Sequence, residues 1–212
     1  MAVRSFHALS PVQQRVYVVI RQFIPGRLRW FYEGCISVPG QLWYAERRLL
    51  YMTIRKYNPK IVFEVGTWYG GGSTYFISQA LYENGQGRLH TIESDPQLHA
   101  AAKANYRRYL AHLVPHVEFH LGDSTEVYPD VLAELGKVDA VFLDGAADAQ
   151  QTVSEFEMFA PYMGRGSLLV MHDWDDEKMA LLRPKIEGSP DGVLVKSISA
   201  PHSVGCAVYR HS

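Results

Sequence analysis

Four acids stand at intervals along this chain, each at the end of a short apolar run. Glu64 lies in "KIVFEV", Glu93 in "GRLHTIE", Asp123 directly after "HVEFHLG" and Asp144 in "VDAVFLDG". A fifth run, "GSLLVMHDW", carries His172 and Asp173. Behind the first acid comes a knot of glycines, "GTWYGGGST". Glycines at such a place permit a tight turn and let a ligand approach the backbone. Ser73 and Thr74 fall where a helix would start, with free N–H groups and the positive end of its dipole, which suits a carboxylate or phosphate. One acid at a strand end is explained by helix capping or by solvent. Four in succession are better explained by a shared ligand. An acid at the tip of a second strand can accept hydrogen bonds from both hydroxyls of a ribose. An acidic rim disfavours a pyrophosphate and suits a nucleoside that carries positive charge. Neither G-x-G-x-x-G nor G-x-x-x-x-G-K-[ST] is present.

The elements that would bring these residues together follow from the spacing. From Lys60 onward the five apolar runs alternate with helical stretches near 73–83, 96–110, 125–135, 149–163 and 175–187. Such alternation predicts right-handed βαβ units and a parallel sheet. The nearly continuous apolar character of the strands predicts helices on both sheet faces. The last two runs, "GVLVKSIS" and "SVGCAVYRH", leave no room for a helix and predict an antiparallel hairpin. The expected fold is therefore α/β, a Rossmann-like, mostly parallel sheet of seven strands with a C-terminal antiparallel hairpin and an N-terminal helical addition. In open sheets of this kind ligands bind beyond the carboxyl ends of the strands, where all five acidic tips would meet.

The composition agrees. The 212 residues are 47% hydrophobic and 20% charged, as in a globular domain with a sizeable core. The formal net charge of −1 gives no whole-chain attraction to nucleic acid. No apolar run is long enough for a membrane span, and the N-terminus lacks the apolar core of a secretion signal. Cys35 and Cys206 form no metal, redox or disulfide pattern, which fits a reducing compartment, the cytoplasm.

From Lys56 to the end, about 150 residues, the chain resembles the class I S-adenosylmethionine-dependent methyltransferases. "NPKIVFEVGTWYGGGST" resembles the first motif of the small cation-dependent O-methyltransferases, the catechol and caffeoyl-CoA enzymes and their bacterial natural-product relatives. "GRLHTIESDP", "VEFHLGDS", "VDAVFLDG" and "GRGSLLVMHDW" resemble the next four motifs in order. The resemblance implies S-adenosylmethionine as cofactor and a hydroxyl of a small molecule, a sugar or a phenol, as acceptor. Carried over, Gly66 and the turn through Thr67, Tyr69, Gly70 and Gly71 would pass beside the methionyl part, and Ser73 would hold its carboxylate. Glu64 would sit near the amino group or shape the turn. Glu93 would bind the ribose with Ser94 beside it, and Asp123 and Ser124 would address the adenine. Asp144 would border the cofactor at the fourth tip. The glycine loop is one residue longer than the family's usual pattern.

In those relatives a divalent cation such as Mg²⁺ holds two substrate oxygens through an acid at the fourth tip and an acid–amide pair at the fifth. Here the corresponding residues are Asp144, His172 and Asp173. Three readings of His172-Asp173 stand side by side: a metal-ligand pair with Asp144, a general base His172 oriented by Asp173, and a structural loop cap. Where members with a catalytic lysine carry it, three residues after the fourth-strand acid, this chain has Ala147. His90, His116 and His120 are expected to be packing or surface positions, and nothing singles out His202.

Residues 1–58 are expected to form a helical lid segment and residues 59–212 the methyltransferase core. Val12, Val16, Val19 and Phe23 make a helical stripe between Pro11 and Ile24, and a second helix is expected over roughly Leu42 to Tyr57. The aromatics Trp30, Phe31, Tyr32, Trp43 and Tyr44 read either as a lid over the acceptor, shared across a homodimer, or as filling where the first helix packs on the sheet. Arg4, Arg15, Arg21, Arg27 and Arg29 would suit an anionic surface or an acidic acceptor. Two rivals remain: a nicotinamide-dependent oxidoreductase of the same topology, and a cofactor-binding partner protein without activity.

Overall fold

The computed structural model describes residues 9–25, 30, 33–201 and 203–212. Arg4, Arg27, Arg29, Phe31, Tyr32 and His202 therefore lie outside the described residues. Seven strands form one sheet: β1 (Ile61–Val65), β2 (Arg88–Glu93), β3 (Val117–Leu121), β4 (Val138–Leu143), β5 (Met163–His172), β6 (Gly192–Ile198) and β7 (Cys206–His211). Their order is β3-β2-β1-β4-β5-β7-β6. The first five are parallel, and β7 runs antiparallel to both β5 and β6. This is the Rossmann-like sheet with the C-terminal hairpin that the strand pattern predicts. The chain between β6 and β7 covers 199–205 and is longer than the three-residue connection expected.

Helices cover both faces because successive strand residues point to opposite sides. In β1, Val62 joins a core shared with α2 (Tyr44–Tyr57), α3 (Ser73–Asn84) and α4 (Pro96–Tyr109), where Leu50, Ile54, Phe76, Ile77 and Tyr106 are buried. Its neighbours Phe63 and Val65 join the opposite core, with Tyr128 and Leu132 of α5 (Ser124–Leu135), Phe159 of α6 (Ala149–Phe159) and Ile186 of α7 (Leu182–Glu187). The switch point falls between β1 and β4, where strand order reverses.

The N-terminal expectations need two corrections. Helix α1 (Pro11–Ile20), which continues as a 3₁₀ turn over Arg21–Phe23, buries none of its residues. Its stripe faces outward, with Val12 70% and Phe23 85% exposed, so packing of this stripe on the sheet is ruled out. The stripe has the period of a packed helix, but the core on that face is built with α2, α3 and α4 instead. The second helix starts at Tyr44 rather than Leu42, because the Glu46 carboxylate accepts a hydrogen bond from the Trp43 N–H and closes the first turn there. Among the described residues no helix is long and apolar enough to cross a membrane. Cys35 and Cys206 are both free.

Candidate active site

The glycine knot is a turn locked to β2. The N–H groups of Gly66 and Thr67 both donate to the Ile92 carbonyl at 3.1 Å, and the Trp68 N–H donates to the Glu93 carboxylate at 2.8 Å. Gly66 has φ +101°, a backbone region open mainly to glycine. Gly71 serves a different need. A Cβ there would stand 2.3 Å from the carbonyl oxygens of Val38 and Pro39, and its N–H donates to the Pro39 carbonyl at 3.0 Å. The last glycines thus let residues 38–40 lie directly on the turn.

Glu64 lies beneath this turn and is completely buried. One oxygen accepts from the hydroxyls of Thr74 (2.7 Å) and Thr91 (2.6 Å), and the other has no hydrogen-bond partner among the described residues. Burial pushes its carboxyl up to about 7, against the lowering influence of the nearby hydroxyls. The folded chain then holds this proton between the ordinary value of 4.5 and about 7. Stability linked to Glu64 is complete below that window and is lost as the pH rises through it. Glu64→Gln, neutral throughout, is expected to gain about 2 to 3 kcal/mol relative to wild type between pH 4.5 and 8, read from urea unfolding at the two pH values.

Beyond the strand tips lie two adjoining cavities of about 410 and about 400 Å³. Both are bordered by Gln41, Gly66, Trp68, Asp144 and Asp173. Thr67, Ser73, Leu42, Trp43 and His172 line the first, and Glu93, Ser94, Asp123, Ser124, Lys178 and Glu155 line the second. Ser73 opens α3, whose first residues receive no side-chain cap, so N–H groups are left facing this space. Asp123 caps α5 by accepting from the Thr125 N–H at 2.8 Å. Of the residues expected to meet the cofactor, Glu64, Tyr69, Gly70 and Gly71 line neither cavity. The ring of Tyr106 lies against Gly70, and the Tyr69 carbonyl accepts from Asn105 at 3.1 Å.

At the fourth and fifth tips the charges interlock. Nδ1 of His172 lies 3.0 Å from an oxygen of both Asp144 and Asp173, and Nε2 lies 3.0 Å from Glu46. Glu46, 1% exposed, also accepts from the Ser203 hydroxyl at 2.6 Å. Lys178 Nζ sits 2.6 Å from Asp173 and 3.3 Å from Asp144. Burial opposes the charge on His172, yet its bonds to Asp144, Asp173 and Glu46 win and push it up to about 12. Burial likewise opposes the charge on Asp173, but His172 and Lys178 hold it down to about 2. With all three carboxylates around it, the ring is held as an imidazolium that donates to them.

Three residues of this region were not singled out in the sequence: Glu46, Lys178 and Glu155. Glu46 carried a weak signal, as the acid in the first turn of α2. Lys178 comes from a 3₁₀ turn (Glu177–Met179) and supplies an ammonium at the same acids that Ala147 leaves without one. Glu155 is buried on α6, where one oxygen accepts from the Ser124 hydroxyl at 3.2 Å, and burial pushes it up to about 7. The aromatic residues divide. Trp43 lines the first cavity, whereas Trp30 packs edge-on against Tyr51 at 4.6 Å and donates to the Tyr75 hydroxyl.

A family described as "Methyltransferase domain" matches residues 63–174, from within β1 to just past β5. No curated protein matches the chain. Among solved structures, the O-methyltransferase TomG from Streptomyces achromogenes, involved in tomaymycin synthesis and in complex with SAM, is 19% identical, with a TM-score of 0.67 over 96% of this chain and 91% of its own. The O-methyltransferase from Bacillus cereus in complex with SAH is 18% identical, with a TM-score of 0.66 over 98% and 100%. A methyltransferase from Geobacter sulfurreducens is 18% identical, with a TM-score of 0.63 over 97% and 90%. At these identities the likeness is one of fold.

Proposed function

The chain belongs to the methyltransferase-domain family, and from that premise we propose that it transfers a methyl group from S-adenosylmethionine to a hydroxyl of a small molecule, a phenol or a sugar. The observation that carries this reading is the pair of adjoining cavities, one lined by Glu93 and the other by His172, with Gly66, Trp68, Asp144 and Asp173 bordering both. Family membership leaves the nicotinamide-dependent reading without support.

In this proposal Glu93 accepts hydrogen bonds from the ribose, Ser94 lies beside it, and Asp123, Ser124 and Glu155 surround the adenine. Gly66 and Thr67 border the methionyl part, whose carboxylate meets Ser73 at the start of α3. Glu64 shapes the turn from below. When bound, S-adenosylmethionine supplies a sulfonium methyl, which passes to the acceptor oxygen as the carbon–sulfur bond breaks, and a proton is released. His172 at the first cavity and Lys178 at the second are balanced by the carboxylates of Asp144, Asp173 and Glu46, and the acceptor's proton passes to this carboxylate-rich cluster or to solvent. Asp173 and Glu46 fix the imidazole, and Asp144 borders the acceptor. Gln41, Leu42 and Trp43 border the first cavity, which supports residues 1–58 as a lid segment on the core 59–212.

A divalent cation belongs to the same proposal in its finer form. Asp144, His172 and Asp173 each offer a ligand atom, all within 4.8 Å of one another; the two carboxylates suit a hard ion, and His172 would join them only by giving up a ring proton. Such an ion would supply Lewis-acid polarisation of the acceptor oxygens. Its entry would displace Lys178 from both carboxylates, so ammonium and metal compete for one place.

The test titrates S-adenosylhomocysteine into the protein by calorimetry, then measures transfer of labelled methyl to a panel of phenols and sugars with Mg²⁺ or a chelator. Saturable micromolar binding and transfer to a hydroxyl are expected. Absence of binding would overturn the cofactor reading. Transfer unaffected by the chelator but lost in Lys178→Ala would assign the charge to Lys178 and remove the cation.

A further inference from the structure

His90 of β2 and Glu118 and His120 of β3 share one face of the sheet, at its β3 edge. The parallel register sets His90 opposite Glu118 and Ile92 opposite His120. Residues 118 and 120 therefore point to the same side as His90. Nδ1 of His90 lies 3.3 Å from Nε2 of His120 and 4.0 Å from a carboxylate oxygen of Glu118. One ligand atom from each of the three falls within 4.8 Å of the others. None of these residues lines the cavities at the strand tips.

We propose that His90, Glu118 and His120 form a second metal site, one that takes a first-row divalent ion of the zinc, cobalt or nickel type. A tetrahedral ion with bonds of about 2.0–2.1 Å to imidazole nitrogens sets its ligands about 3.3 Å apart, the spacing this histidine pair already has. Two imidazoles and one carboxylate suit such ions better than Mg²⁺. The pair is held in place before any ion arrives. His90 is 6% exposed and stacks on Phe63 at 5.0 Å, while the His120 ring meets Tyr128 edge-on at 5.6 Å. The Tyr128 hydroxyl donates to the His90 carbonyl at 3.0 Å and to the Glu64 carbonyl at 2.7 Å.

The surroundings keep the donors available. The facing nitrogens of His90 and His120 share a hydrogen bond, so one ring has only to move its proton to its other nitrogen for both to face an ion. Glu118 is about half exposed, and only a small rotation would bring it onto the ion. Arg88, 3.5 Å from Glu118, is the competing partner. Because β3 is an edge strand, the fourth position opens to water. An ion here would clip β2 to the edge strand two residues before Gly122, which lines the second cavity.

The experiment is calorimetric titration of Zn²⁺ into the full chain without a polyhistidine tag. Wild type should bind saturably. His120→Ala should weaken binding at this site at least about tenfold, Glu118→Gln should weaken it as well, and both losses should persist in an Asp173→Asn background, where the strand-tip cluster has lost a ligand. Glu118 is a surface position, so its variant keeps the test valid if His120→Ala fails to fold. The proposal is overturned if wild type shows no saturable binding. It is also overturned if the binding survives both edge variants and disappears in Asp173→Asn.

Discussion

His172→Ala is expected to lower the folding free energy by about 3 to 5 kcal/mol and to abolish methyl transfer. Three carboxylates converge on this one ring, each at 3.0 Å, and one of them, Glu46, is almost fully buried. Removing the imidazolium leaves those charges without their main counter-charge, and a buried charge that has lost its partner is strongly destabilising. Lys178 still serves Asp144 and Asp173, while Ser203 and the Trp43 N–H still serve Glu46, so the loss should fall toward the lower end of that range. Urea unfolding gives the number. A second measurement isolates the cause: the double variant Glu46→Gln/His172→Ala should be less destabilised than the sum of its single changes. A cost below about 1 kcal/mol would mean that the ring is not what neutralises this cluster.

Glu93→Ala should weaken S-adenosylhomocysteine binding at least about 100-fold while leaving the fold intact. Each hydrogen bond to a charged group contributes roughly 1.5 to 3 kcal/mol, and the proposed placement gives this carboxylate two ribose hydroxyls. Glu93 also accepts from the N–H groups of Trp68 (2.8 Å) and Asp95 (3.1 Å), so its loss loosens the turn that borders the cofactor. Glu93→Gln keeps acceptor atoms but no charge and should lose less. Calorimetry measures both variants. Affinity for Glu93→Ala within about threefold of wild type would rule out the ribose placement.

Much of this was legible in the residues. Periodicity gave the strands because strands buried on both faces are apolar throughout, and the acids stood out because each interrupts such a run at its end. Chemistry contributed by residues distant in sequence was not legible. Lys178 reaches Asp144 from beyond β5, and Glu46 reaches His172 across 126 positions from a helix before the sheet begins. No local spacing encodes either meeting. His90 and His120 read as packing residues one at a time, and only the register of β2 on β3 sets their rings side by side. The glycines misled in a different way. A glycine needed for a ligand and one needed for a neighbouring backbone look alike in sequence, and Gly71 proved to be the second kind. The stripe on α1 has the period of a packed helix, but whether a packing surface is free depends on which other helices occupy it.

Glu64 also matters before the chain has folded. Its strand, Ile61–Val65, must wait for β4, 78 positions later between Val62 and Ala140, before its second side is covered. Until then Ile-Val-Phe-Glu-Val is an apolar, β-prone stretch of the kind that pairs with copies of itself. In the solvated chain its carboxyl has its ordinary affinity for protons and is ionised at neutral pH. The side chain whose charge the finished protein suppresses is, on the nascent chain, the single charge within that segment, a gatekeeper against aggregation during the interval when the strand has no partner.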